Sequence, residues 1–323
     1  MAHVAQDVLF SLSIPAHKSP AAPSLGGTIT VAKLNISYGQ TSDPSAAQSM
    51  SSNPALGKAR PRHGDQPPPP PIYLLTHHSP PDNRLTPPFL QTYLHALLRL
   101  QHGGYPYGLL LTTSAIPKFY SNGLDLATFE PGDKARYLYP LFRKLLTYPM
   151  PTCAIINGHG FAGGLMLGMF HDYRVMNPHR GWLCLNELEF DAELAPGMAA
   201  VFKAKISNST FRSLVLEAKR FTSLQALEVG LVDGLGGLEE AMQMMTDVEG
   251  GHGRGAVVVT VRGTKTVYGK LKEEIYQDLL IALDMSEQDE TQFLDRRMND
   301  RDARDQAEKL LLSKLGGLEK AKL

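Results

Sequence analysis

Two segments of the sequence carry glycine where an apolar run gives way to a loop. Ser121-Asn122-Gly123-Leu124-Asp125 follows GLLLTTS (108–114), and Gly158-His159-Gly160-Phe161-Ala162-Gly163-Gly164 follows TCAIIN (152–157). Glycine lets a backbone approach a ligand closely, and a loop that opens a helix points unpaired N–H groups outward. Two such loops can converge on one oxygen as an oxyanion hole, whose main-chain donors stabilise charge developing on a carbonyl. Gly158, Gly160 and Gly163 also stand at the G-x-G-x-x-G spacing of a dinucleotide loop, with a β-branched run before them and an apolar run after. A dinucleotide site, however, wants an acidic residue at the end of the next strand, about twenty residues on, to hold the ribose hydroxyls. The next strand-like run, 173–176, ends instead in Asn177-Pro178.

Other chemistries find less support. His77-His78, His159 and His171-Asp172 supply imidazoles, but no three ligands share a helical face or a zinc-like spacing, so no metal site is expected. No serine-centred nucleophile elbow occurs, which argues against a covalent hydrolase. Lys and Arg together number 32 and so do Asp and Glu, so no global field recruits nucleic acid or an anionic membrane. Two cysteines, Cys153 and Cys184, make a disulfide framework unexpected and a reducing compartment the simpler setting. The N-terminal residues lack a basic stretch followed by a sustained apolar one, and no run approaches the ~18 apolar residues of a membrane span. Neither secretion nor membrane spanning is expected. Ala321-Lys322-Leu323 is a variant of the Ser-Lys-Leu peroxisomal address, to be weighed against the frayed end of a Lys-rich helix.

The elements that must position the two loops are legible in outline. Residues 8–14 and 27–34 alternate as paired strands, and from about 35 to 71 a Ser/Pro/Gly-rich stretch ending in PPPPP predicts a disordered or polyproline-II insertion. A strand is expected at 72–78, then a helix capped by Thr86 with Pro87 at its first position and Phe89, Leu90, Tyr93, Leu94, Leu97 and Leu98 on one face. A strand at 108–114, a loop at 118–126, a helix at 133–147, the strand 152–157 and a helix after the glycines follow. This alternation of strand and helix argues for α/β layering. Helices are expected at 211–221 and 223–230, a return strand at 231–236, an apolar run at 256–261, and two charged amphipathic segments at 268–285 and 289–318 that read as solvated helices.

INGHGFAGGLMLGMFHDYRVM (156–176), KFYSNGLDL (118–126), NELEFD (186–191) and AKRFTSLQALEVGLVDGLG (218–236) resemble, in order and spacing, the enoyl-CoA hydratase/isomerase (crotonase) family. The resemblance spans about residues 72 to 236, more loosely 8 to 34, and passes over the insertion. It implies an α/β fold, a spiral of repeated ββα units with a helical C-terminal region. The expected division is a core over 1–240, interrupted at 35–71, and a segment 241–323 that covers ligand or makes oligomer contacts. It further implies a homotrimer or dimer of trimers and an acyl-CoA thioester substrate, with no cofactor beyond the coenzyme A that the substrate carries. With the tripeptide ending, it implies the peroxisomal matrix and an import receptor as partner.

Carried over residue by residue, the oxyanion donors are the amides of Leu124 and Gly163. The family's hydratases resemble one another in having two glutamates; the first position here is Met166, which cannot activate water, and the second is Glu187. The pair Asn186-Glu187 resembles the segment of mitochondrial-type Δ3,Δ2-enoyl-CoA isomerases, which work with this one glutamate. A second isomerase branch has its carboxylate some nine residues further on, where Pro196-Gly197 stand. Glu187, Leu124 and Gly163 are therefore the expected catalytic groups, with Leu165, Met166, Leu183 and Leu185 as apolar lining. Arg84, Leu85, Lys118, Ser121, Asn122, Gly123, Asp125, Gly164 and Met166 are expected at the substrate; Lys118 and Arg84 could meet coenzyme A phosphates or stay solvated. Composition alone would make Glu187 one more surface carboxylate in the run Glu187, Glu189, Asp191, Glu193. Moving a double bond from the 3,4 to the 2,3 position needs a proton removed at C2 and one delivered at C4, which a single base above a planar dienolate can do. Two alternatives stay open: another crotonase-type acyl-CoA enzyme, such as a hydratase of a specialised pathway, and a silent thioester-binding subunit. Ala162, where the family often has glycine, and the 35–71 insertion are departures from its pattern.

Overall fold

Continuous apolar strands such as Ile72–His78 and Leu109–Ser114 suit a sheet covered on both faces, where alternate side chains must all find a core. In the computed structural model, residues 3–16, 26–37, 70–246 and 267–320 are described, the side chains of 3, 36–37, 287–294 and 311–320 excepted. The elements in chain order are β1 (His3–Ile14), β2 (Gly27–Ser37), β3 (Ile72–His78), α1 (Pro87–His102), β4 (Leu109–Ser114), β5 (Phe119–Ser121), α2 (Tyr139–Leu146), β6 (Thr152–Ile156) and β7 (His159–Phe161). They continue with α3 (Gly163–Met169), β8 (Tyr173–Met176), β9 (Leu183–Cys184), α4 (Pro196–Lys205), α5 (Asn208–Leu216), α6 (Ser223–Glu228), β10 (Gly234–Leu235), α7 (Leu238–Thr246), α8 (Val267–Ile275) and α9 (Gln277–Lys320).

The larger sheet runs β1-β2-β3-β4-β6-β8-β10, with β1-β2-β3 antiparallel and the rest parallel. Tyr73, Leu75, Leu110, Ala154 and Ile156 point into the main core with α1, α2 and α3, whereas Ile72, Leu74, Leu109, Leu111, Cys153 and Ile155 meet Ala241, Met242 and Met245 of α7 on the other face. Both cysteines are buried and free. Thr86 caps α1, its hydroxyl accepting from the Phe89 N–H, and Phe89, Leu90, Tyr93 and Leu97 are buried along one face.

Several expectations shift. β2 runs on to Ser37, past the expected start of the insertion at 35, because its register with β1 continues to His3. The loop expected at 118–126 contains β5, held by pairing with β7 rather than by its own composition. The helix expected at 133–147 opens with a π-helical turn over Lys134–Leu138, since Pro140 has no N–H with which to continue an α-ladder across the junction. The helix expected at 211–221 lies at Asn208–Leu216, started by Ser207, whose hydroxyl accepts from the Thr210 N–H. The 231–236 return strand shortens to β10, and the break expected between 285 and 289 falls at Tyr276, with α9 continuing for 44 residues. The apolar run 256–261, most of the insertion and the tripeptide 321–323 lie outside the described residues.

The C-terminal helices are docked by charge as well as by packing. Lys272 of α8 is 3% exposed, and its ammonium lies 2.8 Å from an Asp172 carboxylate oxygen while donating to the Tyr148 carbonyl (3.0 Å). Asp172 also accepts from Tyr268 Oη (3.1 Å) and from the Thr152 N–H (2.9 Å). Removing one member of a buried pair strands the other charge, at a typical cost of about 3–5 kcal/mol. Asp172 keeps its other donors, so Lys272→Ala should cost about 3 kcal/mol, the lower end of that range, read as a drop in the denaturation midpoint. A change within ordinary surface-substitution scatter would show that α8 is not anchored there. Ser286 of α9 accepts from the Gly197 N–H (3.0 Å), which seats α9 on α4.

Candidate active site

A second, three-stranded sheet in the order β5-β7-β9 gathers the chemistry-bearing segments. Phe119 pairs with His159 and Ser121 with Gly160; Gly160 pairs with Leu183 and Phe161 with Cys184. This short parallel stack sets the SNGLD loop, the glycine loop and the Asn186-Glu187 segment side by side, though they are spread over more than sixty positions of chain.

The two loops face each other through their backbones. Gly123 has φ +88°, a left-handed conformation that glycine adopts without strain, and its carbonyl accepts from the Leu85 N–H at 2.8 Å. The peptide is trans, so pinning the Gly123 oxygen on one side aims the Leu124 N–H to the other. Across from it the Ala162 carbonyl accepts from the Met166 N–H (3.1 Å) as α3 begins, leaving the Gly163 N–H pointing out of the helix start. Neither the Leu124 nor the Gly163 amide has an acceptor among the described residues. A Cβ placed on Gly163 would lie 3.2 Å from the Leu124 nitrogen, and one on Gly123 would lie 3.3 Å from the Gly163 nitrogen. The site therefore presents two convergent, unspent donors.

The glycine spacing has its reason in this packing. A Cβ on Gly158 would stand 2.4 Å from the Lys118 carbonyl oxygen, and one on Gly164 would stand 2.2 Å from that of Ser121. Neither space exists, so the glycine loop can lie against β5 only with bare backbone there. Ala162, between them, has φ +46° and ψ −119°, a region that costs a side-chain-bearing residue about 1–3 kcal/mol. Glycine would relieve that strain while adding unfolded-chain entropy worth about 0.5–1 kcal/mol. Ala162→Gly should thus raise stability by about 1 kcal/mol in urea denaturation, and a lowered midpoint would show that the backbone is not strained there.

Glu187 opens a 3₁₀ turn, Glu187–Phe190, three residues beyond Cys184, whose carbonyl accepts from the Ala162 N–H (2.9 Å). The carboxylate is half-buried; its Oε2 is fully covered and has no hydrogen-bond partner among the described residues. Burial raises its pKa above the usual glutamate range, opposed in part by a bond from its own backbone N–H. The other acids of the run differ: Glu189 is exposed and paired with Arg220 (3.3 Å), Asp191 is exposed, and Glu193 is exposed and meets Arg301 of α9 (2.9 Å). Met166, Leu165, Leu183 and Leu185 are buried.

Ser121, Asn122, Gly123 and Asp125 lie on the first loop, and Gly164 and Met166 on the start of α3. Asp125, 8% exposed, donates its N–H to the Leu85 carbonyl (3.2 Å), so Leu85 grips both sides of Leu124. Arg84 and Lys118 are exposed; Arg84 meets Asp82 at 3.3 Å, and the Lys118 ammonium stands 5.3 Å from the Phe119 ring centre. The imidazoles do not gather: burial pushes His77 down to about 4 and His171 to about 3, with His77 Nε2 at the Tyr120 carbonyl (2.9 Å) and His171 Nε2 at the Thr112 hydroxyl (2.9 Å). No group of three or more metal-binding side chains occurs among the described residues.

Two asparagines to which sequence reasoning gave no role of their own carry buried side-chain amide atoms. Asn83, fully buried with φ +54°, donates to Ser114 Oγ and to the Tyr120 carbonyl, and Asn186 has a buried side-chain oxygen without a partner among the described residues. The signal for Asn83 was an asparagine in a Pro-Pro-Asp-Asn turn, a position that tolerates left-handed backbone.

Residues 71–248 match the family model described as enoyl-CoA hydratase/isomerase. Among curated proteins, enoyl-CoA delta isomerase 1, peroxisomal, of Arabidopsis thaliana is 31% identical over 207 residues, covering 62% of this chain and 84% of the relative. Enoyl-CoA delta isomerase 2, peroxisomal, of the same plant is 31% identical over 210 residues, covering 61% and 85%. Among solved structures, an enoyl-CoA isomerase of Mycobacterium tuberculosis shares the fold, with a TM-score of 0.55 and 21% identity over 67% of this chain and 92% of that one. With the sheet pairing, the two facing amides and the matched residues taken together, the chain belongs to the enoyl-CoA hydratase/isomerase family.

Proposed function

We propose that the protein is a Δ3,Δ2-enoyl-CoA isomerase, shifting the double bond of a 3-enoyl-CoA into conjugation with the thioester. The observation that carries the reading is that one three-stranded sheet gathers two unspent amides and a half-buried carboxylate, Glu187, whose Oε2 has no hydrogen-bond partner among the described residues; by the family resemblance, apolar Met166 stands at the position of the carboxylate that would activate water. The thioester oxygen accepts from the Leu124 and Gly163 N–H groups. Glu187 removes a C2 proton, the negative charge moves to that oxygen as a dienolate, and the same carboxyl returns the proton at C4. Burial suits Glu187 to the task, since a raised pKa makes the carboxylate a stronger base. The names of the two plant relatives support the reaction.

The test is spectroscopic. Incubation with trans-3-hexenoyl-CoA should raise the absorbance of the conjugated enoyl thioester, and trans-2-hexenoyl-CoA should keep its own. Loss of absorbance with the second substrate would mean hydration, and silence with both would overturn an isomerase on such chains. Work in the peroxisomal matrix, through an import receptor that reads Ala321-Lys322-Leu323, is part of the same proposal, supported by the word peroxisomal in the names of the two plant relatives. Deleting the tripeptide should leave a fluorescently tagged chain in the cytosol; continued import would overturn that address.

A further inference from the structure

We infer that Asn83 is a positioning residue that aims the Leu124 amide at the substrate oxygen, a role that rests on the isomerase reading above. The Leu124 N–H belongs to the peptide whose carbonyl, that of Gly123, is gripped by the Leu85 N–H at 2.8 Å. Where Leu85 sits therefore decides where the donor points, and Leu85 follows Asn83 by two positions in a turn that Asn83 ties to β5, while Asp82 accepts from the Asn122 N–H (3.0 Å) and side-chain amide (2.7 Å) just beyond the strand. The Asn83 side-chain oxygen accepts from the Ser79 N–H (2.7 Å), which closes the turn. Its amide nitrogen donates to Ser114 Oγ (2.6 Å), the Phe119 carbonyl (3.3 Å) and the Tyr120 carbonyl (3.2 Å). Its backbone carbonyl accepts from Ser121 Oγ (2.7 Å), and that same hydroxyl accepts from the Gly123 N–H (3.2 Å).

One side chain thus joins the end of β4, the first two of the three β5 residues, and the turn that clamps the loop. His77 Nε2, 2.9 Å from the Tyr120 carbonyl, holds the same oxygen from the core side. The arrangement fixes direction and also tunes strength: a carbonyl that accepts a hydrogen bond polarises its peptide, and the N–H of that peptide becomes a better donor. Asn83 touches no reacting atom. It acts through Leu85 and Gly123, and the φ of +54° at its own backbone is one that asparagine and glycine tolerate.

Asn83→Gly keeps that backbone conformation and deletes the side-chain bonds; Ser121→Ala cuts the second tie at less cost to folding. Both variants would be compared with the wild-type full chain for turnover of trans-3-hexenoyl-CoA and for the carbonyl stretch of bound trans-2-hexenoyl-CoA labelled with ¹³C at the thioester carbon. Misplacement of a catalytic group by about 1 Å costs on the order of 10²-fold. For Asn83→Gly, kcat should fall about 10- to 100-fold with KM essentially unchanged, and the bound carbonyl stretch should move back towards its value in water. Ser121→Ala should move both in the same direction by less. Unchanged kcat, or a fall in kcat without a shift of the carbonyl band, would overturn the positioning role. If Asn83→Gly fails to fold, Ser121→Ala decides on the same two readings. Wild-type protein that neither turns over nor polarises the thioester overturns the isomerase reading and this role with it; active wild type with indifferent variants overturns the role of Asn83 alone.

Discussion

Glu187→Gln should lower isomerisation at least about 10³-fold in kcat while leaving acyl-CoA binding nearly intact. The amide keeps the shape of the acid but cannot take a proton from C2, and no other group would need to be displaced. Positioned acid–base groups contribute about 10² to 10⁴ in rate, and a single shuttle that serves both proton transfers belongs at the upper end. Wild-type kcat/KM should rise with pH through the Glu187 pKa, because the base form is the ionised one, and the acid limb should lie above the usual glutamate range since burial raises that pKa. Stability carries the opposite sign. A carboxyl whose folded pKa is raised binds its proton more tightly in the folded state, so the stability it lends at low pH is lost as pH rises through that value. Glu187→Gln should therefore raise the denaturation midpoint at neutral pH and not at acid pH. Unchanged turnover would reject Glu187 as the base; lost turnover with a neutral-pH midpoint no higher than wild type would reject the burial account.

Gly163→Ala is the second large expectation. The new methyl would lie 3.2 Å from the Leu124 nitrogen and 3.0 Å from Leu124 Cγ, in the gap where the two amides converge. The Leu124 side chain can swing aside, so folding should survive, but the methyl would occupy space that a thioester oxygen must enter. Loss of one oxyanion donor costs on the order of 10² to 10³ in rate, and obstruction of the shared position should cost at least as much in kcat/KM for trans-3-hexenoyl-CoA. Gly164→Ala would behave differently, since its methyl meets the Ser121 carbonyl at 2.2 Å and must displace backbone. That variant should fail by loss of folded protein rather than by loss of rate in a folded one. Full activity in Gly163→Ala would mean that the reacting oxygen does not sit between these loops.

The expectations that rested on short-range pattern carried into the structure with small shifts of boundary. The helical face of α1 and its Thr86 cap were legible because a 3.6-residue repeat and a hydroxyl ahead of Pro87 act within one or two turns. Element ends moved where tertiary pairing overrode local composition, as in β5, which exists because β7 lies beside it. The glycines announced that bare backbone was needed, but not against what: Gly164 against Ser121 and Gly163 against Leu124 are meetings of residues some forty positions apart. The Lys272–Asp172 pair joins residues a hundred positions apart, and nothing local distinguishes that lysine from the solvated ones around it.

By itself, then, the sequence determined the α/β layering, the pair of glycine loops and, through resemblance, the family. These follow from local conformational preference, from apolar periodicity and from motif order, all of which the chain carries in one dimension. Only the tertiary structure decided that, among the described residues, the Leu124 and Gly163 amides face one another unspent and a Glu187 oxygen is buried without a partner, and that Asn83 ties the first loop in place. Each of those depends on distance and direction between segments far apart in the chain, and hydrogen-bond geometry and burial exist only once those segments are packed.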